Sequence, residues 1–228
     1  MATMSPSESL LKAICGLCLV LAPAALLVGG LLHPEETPDA TRQFEIIAAD
    51  VGRWELAHWI ISASMLLMVG AAVGLAHLLR ERRPAEGIIG GAATIVGAMA
   101  LFAVATSEAV TMAELGRSET AEAAALFGRI FESAARWVLL VPVMLLPLGL
   151  IVMSYGMYRA RVTETWAAGC VALGSVGFAI SLPTGSPVAF AIGLALMFVG
   201  LARIGLSVLT ETDQQWQHPP EVGAQPAA

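Results

Sequence analysis

The chain predicts an all-α membrane protein: one polytopic bundle of six transmembrane helices with both termini cytoplasmic. Three observations carry that expectation. Of 228 residues, 57% are hydrophobic and 13% charged, with a mean hydropathy of +0.76, against roughly 25% charged in soluble domains. The apolar residues fall in long runs, close to the about 20 that a helix needs to cross a bilayer. The runs do not alternate, and lipid satisfies no backbone polar group, so helices follow rather than barrel strands.

The first span runs from Leu10 to Leu32. Only Lys12 precedes or opens it with positive charge, and the run is too long for a signal-peptide core, so it reads as an uncleaved span. The second is Ala57–Leu79, the third Ile88–Ala109 and the fourth Trp137–Tyr158. The fifth is Trp166–Leu182 and the sixth Pro187–Leu209. Pro142 and Pro147 should kink the fourth. Residues 1–210 form this domain, and 211–228, polar and Pro-rich, are expected to be a disordered cytoplasmic tail.

Arginine sets the orientation, because short cytoplasmic loops collect Lys and Arg. The loop RERRPAE (80–86) holds Arg80, Arg82 and Arg83, and RARVTET (159–165) holds Arg159 and Arg161. Both should be cytoplasmic, and the acidic 33–55 loop lies outside. In that loop Thr37, Pro38 and Asp39 start a short helix, capped by Thr37, whose Phe44, Ile47 and Val51 share one face and would roof the bundle. Ser118 is the expected cap of another helix, SETAEAAALFGRIFESAARW, running on into the fourth span.

With this threading, four successive spans bring His or carboxylate groups to one depth at the outer face. His33 closes the first, Glu55 and His58 open the second, Glu108 ends the third, and Glu132 and Arg136 precede the fourth. Glu55 and His58, three apart, share a helix face. E-x-x-H is the pair that di-iron bundles use twice, and it occurs here once. His33, His58, Glu55 and Glu108 are the candidate metal ligands, a set that suits a divalent transition metal such as zinc, iron or manganese. Glu55, Glu108, Glu132 and Arg136 are the candidate ligand-binding groups. The bland alternative is interfacial anchoring beside Trp54 and Trp59, with Glu132 in salt bridges to Arg129 and Arg136. Glu108 resists it most, because LFAVATSEAVTMAEL stays apolar past it and a carboxylate inside the boundary is costly unless paired.

A single haem between His33 and His58 is a further alternative. His77 lies 19 residues after His58, about 28 Å along the helix, and reads as a plain interfacial residue. Cys15 and Cys18, one helical turn apart, and Cys170 give no disulfide framework and read as packing. Gly70, Gly74, Gly87, Gly91, Gly169, Gly174 and Gly177 thin the spans for close helix contact, within the chain or in a homodimer. The net charge of −6 argues against nucleic acid. The partners expected are the bilayer and a second copy or another membrane protein.

The motifs LLHPEE, RWELAHWI, GLAHLLRERR and YRARVTETWAAG resemble, in layout, small uncharacterised six-helix bacterial membrane proteins of the domain-of-unknown-function type. The resemblance implies a six-helix bundle in the bacterial cytoplasmic (inner) membrane and transfers no activity. Three functions follow for test: binding of a metal ion or lipid-like ligand at the outer face; a membrane enzyme, either a metal-dependent oxidoreductase or an acid–base enzyme acting on isoprenoids or lipids; or an accessory subunit without its own chemistry.

Overall fold

A computed structural model describes residues 5–118 and 120–219, without the side chains of 135–137 and 139. Eleven α-helices and one π-helical turn, with no strand, make up the described residues. They are α1 (Pro6–Leu32), α2 (Ala40–Ala49), α3 (Val51–Leu79), α4 (Pro84–Ser107), the π-turn (Glu108–Met112), α5 (Ala113–Ser118), α6 (Ala121–Phe131), α7 (Ala134–Val143), α8 (Leu145–Ala160), α9 (Thr165–Thr184), α10 (Pro187–Thr210) and α11 (Asp213–Gln217). Among them are six segments long and apolar enough to cross a membrane: Pro6–Leu32, Val51–Leu79, Pro84–Ser118, Leu140–Ala160, Thr165–Thr184 and Pro187–Thr210.

Chain order is also neighbour order. The main contacts run α1–α3, α3–α4, α4–α8, α8–α9, α9–α10 and back from α10 to α1, so the six crossings close into a ring. The start of α1 therefore meets the end of α10 at one face of the bundle. The spans are apolar on both sides: Leu31, Ile88, Leu173 and Val188 point outward and exposed, while Leu19, Met65, Met68, Leu75 and Leu146 fill the interior. Helices that are apolar all round are what a lipid solvent selects.

The small residues are used within the chain. Gly70 and Gly74 of α3 lie against Cys18 and Cys15 of α1, which makes those thiols packing groups. Gly174 and Gly177 of α9 lie against Gly193 and its neighbours in α10, whereas Gly169 faces open space. The fourth span breaks at Met144, between Pro142 and Pro147. Pro147 has no N–H to donate one turn back, and Gly97 of α4 presses against the Leu145–Leu146 backbone just beyond the break.

Several local expectations are corrected. Asp39, not Thr37, caps α2, accepting from the Arg42 N–H. Thr120, not Ser118, caps α6, and Ser118 instead donates to the Glu114 carbonyl. The helix after Ser118 does not run into the fourth span, because α6 stops at Phe131 and α7 begins at Ala134. The roof over the bundle does form: Ile47, Trp54, Met112, Ala113 and Phe127 make a second apolar cluster between α2, α3, α5 and α6.

The segment after α10, expected to be disordered, is folded as far as Pro219. Thr212 and Gln215 form a capping box on α11, and Trp216 is 1% exposed, stacked on His77 at 3.9 Å. His77 Nε2 lies 3.1 Å from the Trp216 carbonyl, and Arg80 donates to the Trp216 and Gln217 carbonyls. His77 is thus part of a docking seat for the C-terminal helix. The remainder of the expected tail, 220–228, lies outside the described residues.

Candidate functional site

The inward face of α3 is read at alternating steps of four and three: Trp54, His58, Ile61, Met65, Met68, Ala72, Leu75 and Leu79 are all buried. His58 belongs to that stripe by helical phase. Its ring is 2% exposed and reaches two neighbours. His58 Nε2 lies 3.2 Å from His33 Nε2, where α1 ends, and 3.0 Å from Glu108 Oε2, where α4 passes into the π-turn. Trp54 closes the side, with its ring centroid 4.2 Å from that of His58 and 5.1 Å from that of His33. Its indole N–H donates to the Glu108 carbonyl at 3.1 Å. An isolated π-turn inside an α-helix is a frequent mark of a functional site, and here it begins at the carboxylate in question.

The tautomers are decided by what the other ring nitrogens touch. His33 Nδ1 is 2.7 Å from the Pro34 carbonyl, and His58 Nδ1 is 2.7 Å from the Trp54 carbonyl. A carbonyl oxygen only accepts, so each Nδ1 carries the proton. Each neutral ring then presents an Nε2 lone pair, and the two lone pairs face each other at 3.2 Å beside a carboxylate oxygen. That contact is repulsive until a cation, either a proton or a metal ion, is shared among them. Burial holds the His33 imidazole below its ordinary pKa, with Glu36 opposing and His58 adding to the shift.

A fourth group completes the row. Glu36 Oε1 stands 3.6 Å from His33 Nε2, and its side chain is 65% exposed. Glu36 was not visible as a site residue from sequence; the signal was the His-x-x-Glu spacing in LLHPEE at the mouth of a span. In contact order the four groups run Glu36, His33, His58, Glu108; His58 is the most enclosed, and the Glu108 side chain is 22% exposed. No cluster of three or more His, Cys, Asp or Glu among the described residues forms a ready metal cage.

The other sequence candidates lie elsewhere. Glu55 sits about 60° round the helix from His58 and about 100° from Trp54, and its carboxylate pairs with Arg117 of α5. The i, i+3 relation to His58 therefore does not make it a partner of the imidazole. Glu132 is exposed at the C-cap of α6, and the Arg136 side chain lies outside the described residues. The haem reading does not fit: a porphyrin plane must separate two axial imidazoles, and the His33 and His58 rings are 4.7 Å apart with Glu108 and Trp54 packed against them. Below the row, Ser62 and Thr106 hydroxyls meet at 3.2 Å and Ser64 donates to the Ala22 carbonyl.

The chain matches no protein-family model, no curated protein and no solved structure.

Proposed function

We propose that the His33–His58–Glu108 cluster binds a divalent transition-metal ion at one face of the membrane, the non-cytoplasmic face by the arginine distribution. The observation that carries this is the pair of Nε2 lone pairs held 3.2 Å apart by two backbone carbonyls. Imidazole ligands are commonly fixed in that way, with Nδ1–H bonded to a carbonyl and Nε2 left for the metal. Successive contacts along the row are close to the separation of neighbouring ligands on one ion. Bonds of about 2.0–2.2 Å arranged tetrahedrally put neighbouring ligand atoms about 3.3 Å apart, and the row has steps of 3.0, 3.2 and 3.6 Å. Side-chain rotation at the two carboxylates would gather the row round the ion. Two neutral imidazoles with two carboxylates and a divalent cation carry no net charge, which is the state a low-dielectric site favours.

A second reading is favoured by the linear order of the groups. Without a metal, a proton shared between His58 Nε2 and Glu108 Oε2 would relieve the facing lone pairs, and the row would act as an acid–base group on a membrane-soluble substrate. The lipid-like ligand has less behind it. The groove of about 420 Å³ lined by Val110, Thr111, Glu114, Leu115, Arg117 and Ser118 lies on the flank, and its Arg117 is already paired with Glu55.

Metal analysis of the purified full chain after loading with zinc or cobalt tests the proposal. The expected result is about one ion per chain, lost in His33→Ala, His58→Ala and Glu108→Gln and kept in Glu132→Gln. A wild-type chain that takes up none removes the metal reading and leaves the proton-holding one.

A further inference from the structure

Glu36 differs from the other members of the row in being anchored by its backbone and free at its side chain. The strap from His33 to Asp39 is tied at several points. The His33 N–H donates to the Gly29 carbonyl at 2.9 Å, and Arg53 Nε donates to the Leu32 carbonyl at 2.7 Å. The Thr37 N–H donates at 2.8 Å to Oε1 of Gln43, a side chain 2% exposed in the roof helix α2. The Asp39 N–H donates to Thr37 Oγ1 at 3.3 Å. The Cα of Glu36 is thereby held beside the site. Its carboxylate lies just outside hydrogen-bonding distance of His33 Nε2, and 65% of its side chain is in water.

We infer that Glu36 is the exchangeable outer ligand of the His33–His58–Glu108 centre, the carboxylate arm that swings between water and the ion and so sets how fast metal is exchanged with the solution. The inference rests on the metal reading above. Three features support it. The His33, His58 and Glu108 side chains are 10%, 2% and 22% exposed against 65% for Glu36, which makes Glu36 the most accessible member of the row. Its carboxylate supplies the second negative charge that makes the loaded centre neutral. Three more enclosed ligands with one replaceable position is also the pattern of metal sites that stay open to an outside ligand. The neighbouring Glu35 is exposed too but makes no described contact with His33, so it serves as the control.

The experiment uses the full chain in detergent, loaded with zinc alone and challenged with a chromophoric chelator. Wild type, Glu36→Gln and Glu35→Gln should all bind about one ion, with Glu36→Gln releasing it about tenfold faster or more and Glu35→Gln at the wild-type rate. His58→Ala should bind none. Thermal melting of each apo variant checks that the fold is kept. Equal release rates for wild type and Glu36→Gln would overturn the inference while leaving the metal site standing. Complete loss of zinc in Glu36→Gln would overturn it as well, since Glu36 would then be a permanent ligand. Failure of the wild-type chain to bind zinc would sink both.

Discussion

Trp216→Ala is the sharpest test of how the C-terminal segment is held. The indole is wholly buried against His77, and truncating a buried Trp typically costs about 3–5 kcal/mol. The other ties are hydrogen bonds from Arg80 and His77 to the α11 backbone and from Lys12 to the Glu211 carbonyl. Each contributes about 0.5–1.5 kcal/mol, rather more where a charge is involved, and water can replace them once α11 lifts. A helix of five residues has no stability of its own. The substitution should therefore undock 211–218 and leave the membrane ring intact. A loss of about 3 kcal/mol corresponds to about a hundredfold faster amide exchange. Hydrogen-exchange mass spectrometry in detergent should show that acceleration at Gln215–His218, with α1, α3 and α10 unchanged. Wild-type protection in Trp216→Ala would refute the reasoning, because something other than the indole would then hold the segment.

Two further outcomes follow from the charged groups. Burial raises the Glu211 carboxyl from its ordinary 4.5 to about 7, with Lys12 and Arg80 opposing; Oε1 has no hydrogen-bond partner among the described residues. Between those two values the folded chain keeps a proton that the unfolded chain has released, so stability falls as pH rises from about 4.5 to 7 and is flat above. The linkage ceiling is about 3 kcal/mol, and the half-exposed position reduces it to about 1 kcal/mol. Melting temperatures at pH 5 and pH 8 should differ in wild type and converge in Glu211→Gln; parallel behaviour would assign the slope to another group. Glu55→Gln breaks only the exposed pair with Arg117, so metal content should match wild type. A loss of metal there would return Glu55 to the ligand set.

The six crossings were legible because the physics behind them is local: a run of apolar residues of bilayer length needs no knowledge of its neighbours. The depth of His33, His58 and Glu108 was legible too, since threading alone brings the end of one span level with the start of the next. Which way each side chain turns was not. Glu55 and His58 share a face by spacing, yet the stripe Trp54–His58–Ile61–Met65 decides which of them points into the ring, and that depends on where α1 and α4 stand. The π-turn at Glu108 has no sequence signature. Glu36 escaped because it lies in extended chain, where helix spacing says nothing. Trp216 carried a signal that polarity obscured: T-x-x-Q at 212–215 is a capping box, and a Trp one residue on calls for a seat.

The polar row gathers at one end of the bundle, where α1 ends, α3 begins and α4 passes into the π-turn. The contacts of the row run from Glu36 through His33 and His58 to Glu108; one turn beyond His58 on α3 the Ser62 hydroxyl meets that of Thr106, and Ser64 donates to the Ala22 carbonyl. Beyond these stand Met65, Met68, Leu19 and Leu75, all fully buried. From Ser64 to Leu79 the helix runs about 22 Å further, along a mainly apolar face that Cys18 and Cys15 meet at Gly70 and Gly74, with the hydroxyls of Thr94 and Ser154 buried on α4 and α8. The six helices close on themselves, so opening a path would mean parting close glycine contacts such as Gly149 against Gly90 and Gly174 against Gly193. On the metal reading, the exposed carboxylate of Glu36 is the natural place to look for control of exchange.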